Sequence, residues 1–423
     1  MSSQPAFYRN RQLWAWAFYD WANSAFVTTV MVAFFPIFFR EFWAKGLPSE
    51  QITLHLGTAN SIASVLIMCL APLLGTIADT GGLKKTLLGA FMLLGASATL
   101  LLTSFDVGQW QWAMTAFVLA VIGYLGANIF YDSLLVDVAE APDFNRASAF
   151  GYSLGYLGGG LLFVLCVMLT LKPKWFGLAD AASAVRWAFG VTAVWWVVFS
   201  LPLLLWVKER GIGQQARPPL LALIRQAFGQ LWDTFQHIRR LREVGLFLLA
   251  YWLYIDGVDT VIFMSVDYGK ALGFDSSNLI QALLITQFVA FPAALGFGWL
   301  GNRWGAKRGI LLGLAGYVVI TLGASQMQTV NGFYALALSV GLVQGGVQAL
   351  SRSLFASLIP AAQAAEFFGF YNMLGKFASV LGPLLVGWVG VLTGSPRLGL
   401  LAVLILFGAG ALLLWKVPER TTA

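Results

Sequence analysis

Gly75-Thr-Ile-Ala-Asp79-Thr-Gly-Gly82-Leu-Lys84-Lys85 returns later in the chain as Gly298-Trp-Leu-Gly-Asn302-Arg-Trp-Gly305-Ala-Lys307-Arg308. Glycine, a polar residue, glycine and two bases recur at offsets 0, +4, +7, +9 and +10, and the copies lie 223 residues apart (75 to 298) in a chain of 423. The first apolar span of each half repeats as well. Trp16, Asp20, Asn23 and Ser24 match Trp252, Asp256, Asp259 and Thr260, each 236 residues on. A chain that repeats itself half-way along, with acids inside apolar spans, reads as a duplicated helical membrane protein.

Composition agrees. Hydrophobic residues make up 59%, charged residues 11%, and the mean hydropathy is +0.76. A soluble domain carries roughly a quarter charged residues, which excludes a soluble globule. With about 20 apolar residues needed per crossing, the chain divides into twelve expected helices, near 13–39, 53–78, 85–105, 110–135, 148–171, 185–207, 244–268, 278–301, 307–327, 331–352, 366–392 and 397–417. No strand alternation competes, so the expected fold is all-α and integral to the membrane, as two six-helix bundles.

Lys and Arg give the expected orientation. With both termini in the cytoplasm, most of the 26 basic residues fall on that side, among them Arg9, Arg11, Lys84, Lys85, Arg146, Arg239, Arg240, Arg242, Lys307, Arg308 and Arg352. Arg40, Lys45, Lys172, Lys174, Arg186, Lys270 and Arg397 fall outside, and Lys376 stays within a span. The +7 net charge is thus mostly a topology signal and gives no reason to expect nucleic acid. The first span is too long for a cleavable signal peptide and reads as an uncleaved anchor. Cys69 and Cys166 both lie in apolar spans and form no disulfide framework.

The expected halves are 1–207 and 244–423, joined by a polar segment, 208–243. Within the joint Leu221, Ile224, Phe228, Leu231, Phe235 and Ile238 recur at three- and four-residue steps, with Arg225, Arg239, Arg240 and Arg242 on a basic side. This pattern fits an amphipathic helix drawn to anionic lipid, or more simply a connector under the bundles.

On these residues the chain resembles the major facilitator superfamily: twelve spans, a 6+6 repeat, a long middle loop and Gly75-x-x-x-Asp79-x-x-Gly82-x-Lys84 between spans two and three. Trp16-Ala-Phe-Tyr-Asp20-Trp-Ala-Asn23-Ser24 narrows the resemblance to the branch that includes a fungal vacuolar amino-acid effluxer linked to autophagy, with bacterial members of unknown substrate. The resemblance implies a central cavity lined by the first helix of each half. It also implies a latch, at Gly75, Asp79, Gly82, Lys84 and Lys85, that joins the halves in the outward-facing state. Asn302 replaces the second Asp, so the copy at Asn302, Gly305 and Lys307 is expected to latch less well.

Several in-span polar residues are candidates for the transported solute or for protons. Asp20 and Asn23 share a face, as do Asp256 and Asp259, and a charge at mid-bilayer must face the bundle interior or a wet cavity. Two neighbouring carboxylates suit proton coupling, and equally suit binding of an amino group. Asn128 and Asp132, echoed 216 residues later by Gln344 and Gln348, make polar stripes that either meet a solute or join helices. Asp132, near the inner end of its helix, is expected to be wet. Asn372 and Lys376 form a third stripe, and Lys376 either receives a carboxylate or snorkels. Trp16 and Tyr19 are the aromatic residues expected beside the solute.

His55 and His237 have no partner at metal spacing, and no phosphate-binding loop or nucleophile–base set is present, so neither a metal, nor a cofactor, nor enzymatic chemistry is expected. The leading expectation is a monomeric, proton-coupled secondary transporter of a small polar solute such as an amino acid, in a bacterial inner membrane. The alternative is a non-transporting or lipid-handling membrane protein.

Overall fold

The computed structural model describes residues 7–210, 225–230, 232–233, 242–271 and 274–418. Among these residues twelve helices are long and apolar enough to cross a membrane, and no strand occurs. The N-terminal six are α1 (Arg11–Trp43), α2 (Ser49–Gly81), α3 (Lys84–Leu101), α4 (Trp110–Ser133), α5 (Phe144–Leu171) and α6 (Ala181–Trp206). The C-terminal six are α7 (Arg242–Ala271), α8 (Ser276–Trp304), α9 (Ala306–Ala324), α10 (Val330–Leu358), α11 (Ala364–Thr393) and α12 (Pro396–Trp415). Large apolar side chains such as Leu205, Val319, Trp388 and Leu412 stand exposed on the outside, as a lipid-facing surface requires.

Glycine sets how closely the helices approach. Gly123 on α4 lies against the backbone of Gly95 and Phe91 on α3, so a Cβ there would collide with main chain that cannot move aside. In α1 the backbone winds as a π-helix over Phe26–Phe34 and again over Phe39–Trp43, on either side of Pro36. Proline removes a helix donor, and the widened turns take up the mismatch.

The bundles meet along α2–α11, α5–α8 and α5–α10. At the end where α1 begins and α12 ends, this seam is closed by the first copy of the repeat. Asp79 accepts the backbone N–H groups of Ala365 (3.2 Å) and Glu366 (2.8 Å), the first turn of α11, where unpaired donors and the helix dipole favour an anion. Lys84 lies 3.5 Å from Asp79 and 3.2 Å from Asp137, with all three side chains nearly buried. Glu209 accepts the backbone N–H groups of Lys84 (3.2 Å) and Lys85 (2.9 Å), and Lys85 Nζ donates to the Val207 carbonyl at 2.6 Å. A Cβ on Gly75 would strike the Ala365 carbonyl, so this glycine is what lets α2 reach α11.

The second copy keeps the turn but differs at the latch. Gly82 (φ 59°) and Gly305 (φ 94°) both hold the left-handed backbone that a side chain disfavours. Asn302, however, is exposed, and among the described residues no hydrogen bond joins it to α5. Lys307 Nζ turns to the carbonyl of Val417 at 2.8 Å, within its own bundle. There the seam closes by contact, with Gly298 against Ala149 and Gly301 against Asn145, and by Ser353 donating to Asn145 Oδ1 at 2.6 Å.

The expected amphipathic helix lies mostly outside the described residues. Within them, Phe228 is exposed, while Gln230 accepts from Thr80 (3.2 Å) and donates to Glu366 (2.9 Å), touching α2 and α11 together.

Replacing Gly123 with Val should destabilise the N-terminal bundle by about 1–3 kcal/mol or more, as overpacking does, read as a lower thermal midpoint in detergent. Replacing Asp79 with Ala should open the terminal end. Spin labels at Ala141→Cys and Arg303→Cys, on opposite bundles, should then gain a longer-distance population; an unchanged distribution would count against the latch.

Candidate functional site

Between the bundles lies a cavity of about 280 Å3, just below the roughly 300–1,000 Å3 typical of small-molecule sites. Side chains from α1, α4, α5, α7, α8, α10 and α11 line it, and its walls are polar and aromatic. Tyr124, Tyr131, Tyr152, Tyr156, Tyr251 and Tyr371 supply phenol groups, and Tyr251 stacks on Tyr371 with centroids 4.1 Å apart.

Its floor is a buried charge cluster centred on Arg352 of α10, which is 1% exposed. Arg352 Nη1 lies 3.0 Å from Asp132 Oδ1 and 3.8 Å from Asp20 Oδ2. Nε donates to Ser148 Oγ and Nη2 to the Ser148 carbonyl, both at 2.9 Å. The guanidinium also lies over the rings of Tyr152 (4.3 Å), Trp16 (4.9 Å) and Tyr131 (5.2 Å). One side chain of the C-terminal bundle is thereby bound by α1, α4 and α5 of the other. Tyr131 Oη donates to Asp20 Oδ2 at 3.0 Å, and Asn372 Nδ2 to Asp132 Oδ2 at 3.1 Å, so both carboxylates are further engaged.

Arg352 was not among the residues singled out from the sequence. A base at the predicted end of the tenth span reads as a cytoplasmic anchor, but α10 runs on to Leu358 and places it inside. One signal was present: Gln344, Gln348 and Arg352 step by four and share a helix face. Asp132 is nearly buried in the cluster and also lines the cavity.

The other candidates fall into three groups. Asp20, Asn128, Gln344, Gln348, Asn372 and Lys376 line the cavity, and Tyr156 Oη donates to Gln348 across the seam at 3.0 Å. Asn23 stands behind the wall, donating to Asn128 at 2.6 Å. Trp16 and Tyr19 are fully buried and do not line it; Trp16 stacks on Tyr131 at 4.7 Å and donates to its carbonyl at 2.9 Å, and Tyr19 packs against the same ring. These two shape the cluster from behind.

Asp256 and Asp259 part company. The Asp256 carboxylate receives the Gly382 N–H at 2.9 and 3.0 Å, just before Pro383, and binds α11 rather than facing the cavity. Asp259 also lies off the lining, and its charge acts on that of Lys376. Among the described residues no ion pair within 4 Å joins them, and no group of three or more His, Cys, Asp or Glu could hold a metal.

A second chamber of about 190 Å3 adjoins the first and shares Val27, Thr28, Tyr156, Gln287 and Gln344 with it. It is apolar, with Val32, Leu283, Phe333 and Val340 in its walls, and extends away from the latched end.

Residues 56–422 match the family model described as vacuole effluxer Atg22 like. An uncharacterized MFS-type transporter of Bacillus subtilis, YxiO, is 39% identical over 410 residues, covering 96% of this chain and 95% of that protein. Autophagy-related protein 22 of Gibberella zeae is 29% identical over 299 residues, 64% of this chain and 44% of its own length. The chain thus spans about half of such fungal relatives. Among solved structures, a double-Trp mutant of XylE superposes with a TM-score of 0.72 at 14% identity (99% of this chain, 97% of that one), and the human organic anion transporter MFSD10 with 0.66 at 16% (97% and 100%). The chain belongs to the Atg22-like family and is a transporter of the major facilitator superfamily.

Proposed function

We propose that this transporter moves a small polar solute, an amino acid or similar metabolite, by alternating access coupled to protons. It works as a monomer in a bacterial inner (plasma) membrane with both termini in the cytoplasm. The observation that carries the reading is the Asp20–Arg352–Asp132 cluster, buried at the floor of a polar cavity and shared between the two bundles.

The cluster holds one cation and two carboxylates, so with both acids ionised it carries a surplus negative charge. Removing one partner of a buried pair costs about 3–5 kcal/mol. A proton on Asp20 or Asp132 relieves the surplus while leaving Arg352 one partner, which fits a coupling role. Lys376, also on the cavity wall, supplies a separate positive charge. A zwitterion would set its carboxylate toward Lys376 and its ammonium toward Asp20. Asp256 is assigned to bracing α11, and Asp259 to balancing Lys376. A polar wall also speaks against a lipid route through the centre.

In proteoliposomes with an imposed pH gradient, a labelled amino-acid mixture should accumulate. Asp20→Asn should abolish gradient-driven accumulation; accumulation equal to the unaltered protein would overturn coupling at Asp20. Lys376→Met should raise the half-saturating concentration about tenfold or more, the scale of one hydrogen bond to a charged group. An unchanged value would remove Lys376 from the binding site.

A further inference from the structure

Away from the central cavity, the outer face of α3 and α6 carries a groove. It consists of two connected hollows of about 380 and 390 Å3 that share Leu100, Trp187 and Gly190. Gly190 makes the depth: without a side chain it leaves α6 hollow, and a Cβ there would meet only Thr103 and Leu100 at ordinary contact distance.

Polarity changes along the groove. Its upper end, where α3 ends and α6 begins, carries Thr103, Ser183 and Arg186. Its lower part is walled by Val191, Val194, Val198 and Phe199. From Trp187 to Phe199 the helix rises about 18 Å at 1.5 Å per residue, close to the roughly 15 Å depth of one hydrocarbon leaflet. Trp187 and Trp175, both well exposed, mark the boundary level.

The mouth has a particular charge pattern. Arg186 Nη2 pairs with Asp106 at 2.6 Å and donates to the Phe105 carbonyl at 3.0 Å, and the Arg186 side chain is still 29% exposed. Asp180 caps α6 by accepting the Ser183 N–H at 2.7 Å. That bond, the Ser183 hydroxyl and the charge of Arg186 hold its carboxyl below the usual carboxylate range. One cation and two anions thus surround the polar end of an apolar trough. A headgroup of single negative charge meets a net negative mouth, whereas one bearing a phosphate and an ammonium finds a partner for each.

We propose that the α3–α6 groove is a binding site for one zwitterionic phospholipid, with its phosphate on Arg186, its ammonium on Asp106 and Asp180, and an acyl chain in the trough beside Gly190. The site is independent of the solute cavity, and its test needs no transport substrate.

The purified full chain is titrated with palmitoyl-oleoyl phosphatidylethanolamine, and separately with the phosphatidylglycerol of the same chains, and bound lipid is counted by native mass spectrometry. The unaltered protein should retain one phosphatidylethanolamine about fivefold more tightly than phosphatidylglycerol. Gly190→Phe, which fills the trough, should weaken the first binding event about tenfold for both lipids. Asp106→Asn, a surface change that leaves the fold intact, should shift the preference toward phosphatidylglycerol. Leu322→Phe, on the lipid face of α9, should change nothing. Binding by Gly190→Phe equal to the unaltered protein would overturn the site, and equal retention of the two lipids by the unaltered protein would overturn the headgroup assignment.

Discussion

A guanidinium buried between two helix bundles cannot be left without partners, and the placement of Arg352 constrains everything around it. Its charge is met by Asp132 and Asp20, its N–H groups by both oxygens of Ser148, and its faces by three aromatic rings. In a low-dielectric interior each of these is worth more than in water, and losing any one leaves a charge that solvent cannot reach. The seam between the bundles at this level is therefore electrostatic. Glycine and alanine contacts nearer the terminal end bring the backbones close enough for the bonds to form.

The contact at that end rests on a related principle with a softer partner. Asp79 is held by the first turn of α11 as well as by Lys84, so the bundles can separate without exposing an unpaired carboxylate: Lys84 travels with it. The repeat-related position carries Asn302, whose neutral side chain gains little from a helix N-terminus. The pseudo-twofold symmetry of the fold is thus broken chemically, with an ionic contact on α2–α11 and a steric contact on α5–α8.

The repeat made the duplication and the helical turns legible before any coordinates. The +7 glycines, at positions 82 and 305, both take the positive φ that makes them necessary. In-span polarity also pointed to the cavity through Asp20, Asn128, Gln344, Gln348 and Lys376. Rotation about the helix axis was less legible. Residues three apart still differ by about 60°, enough for Asp256 to accept the Gly382 N–H while Asp259 does not. Tyr19 is a neighbour of Asp20 in sequence but stands about 100° around the helix from it, behind the wall. Arg352 was hidden because a base at a span end usually reports topology, and only the partners brought by α1, α4 and α5 show otherwise.

Those partners also bear on how the two ends of the molecule can exchange. Asp132 and Ser148 belong to one bundle and Arg352 to the other, so any rocking that parts α10 from α4 and α5 must pull the guanidinium from its acceptors. Asn372, on α11, binds Asp132 from the same side as Arg352 and would be drawn away with it. The movement is feasible only if the separated groups find replacements at once, from water or from a bound solute. A neutral, apolar guest could fill the adjoining chamber but could not supply them. In the proposed cycle a polar solute that reaches the floor of the cavity would lower the cost of breaking the seam at the very place where it sits, tying occupancy of the cavity to movement of the bundles.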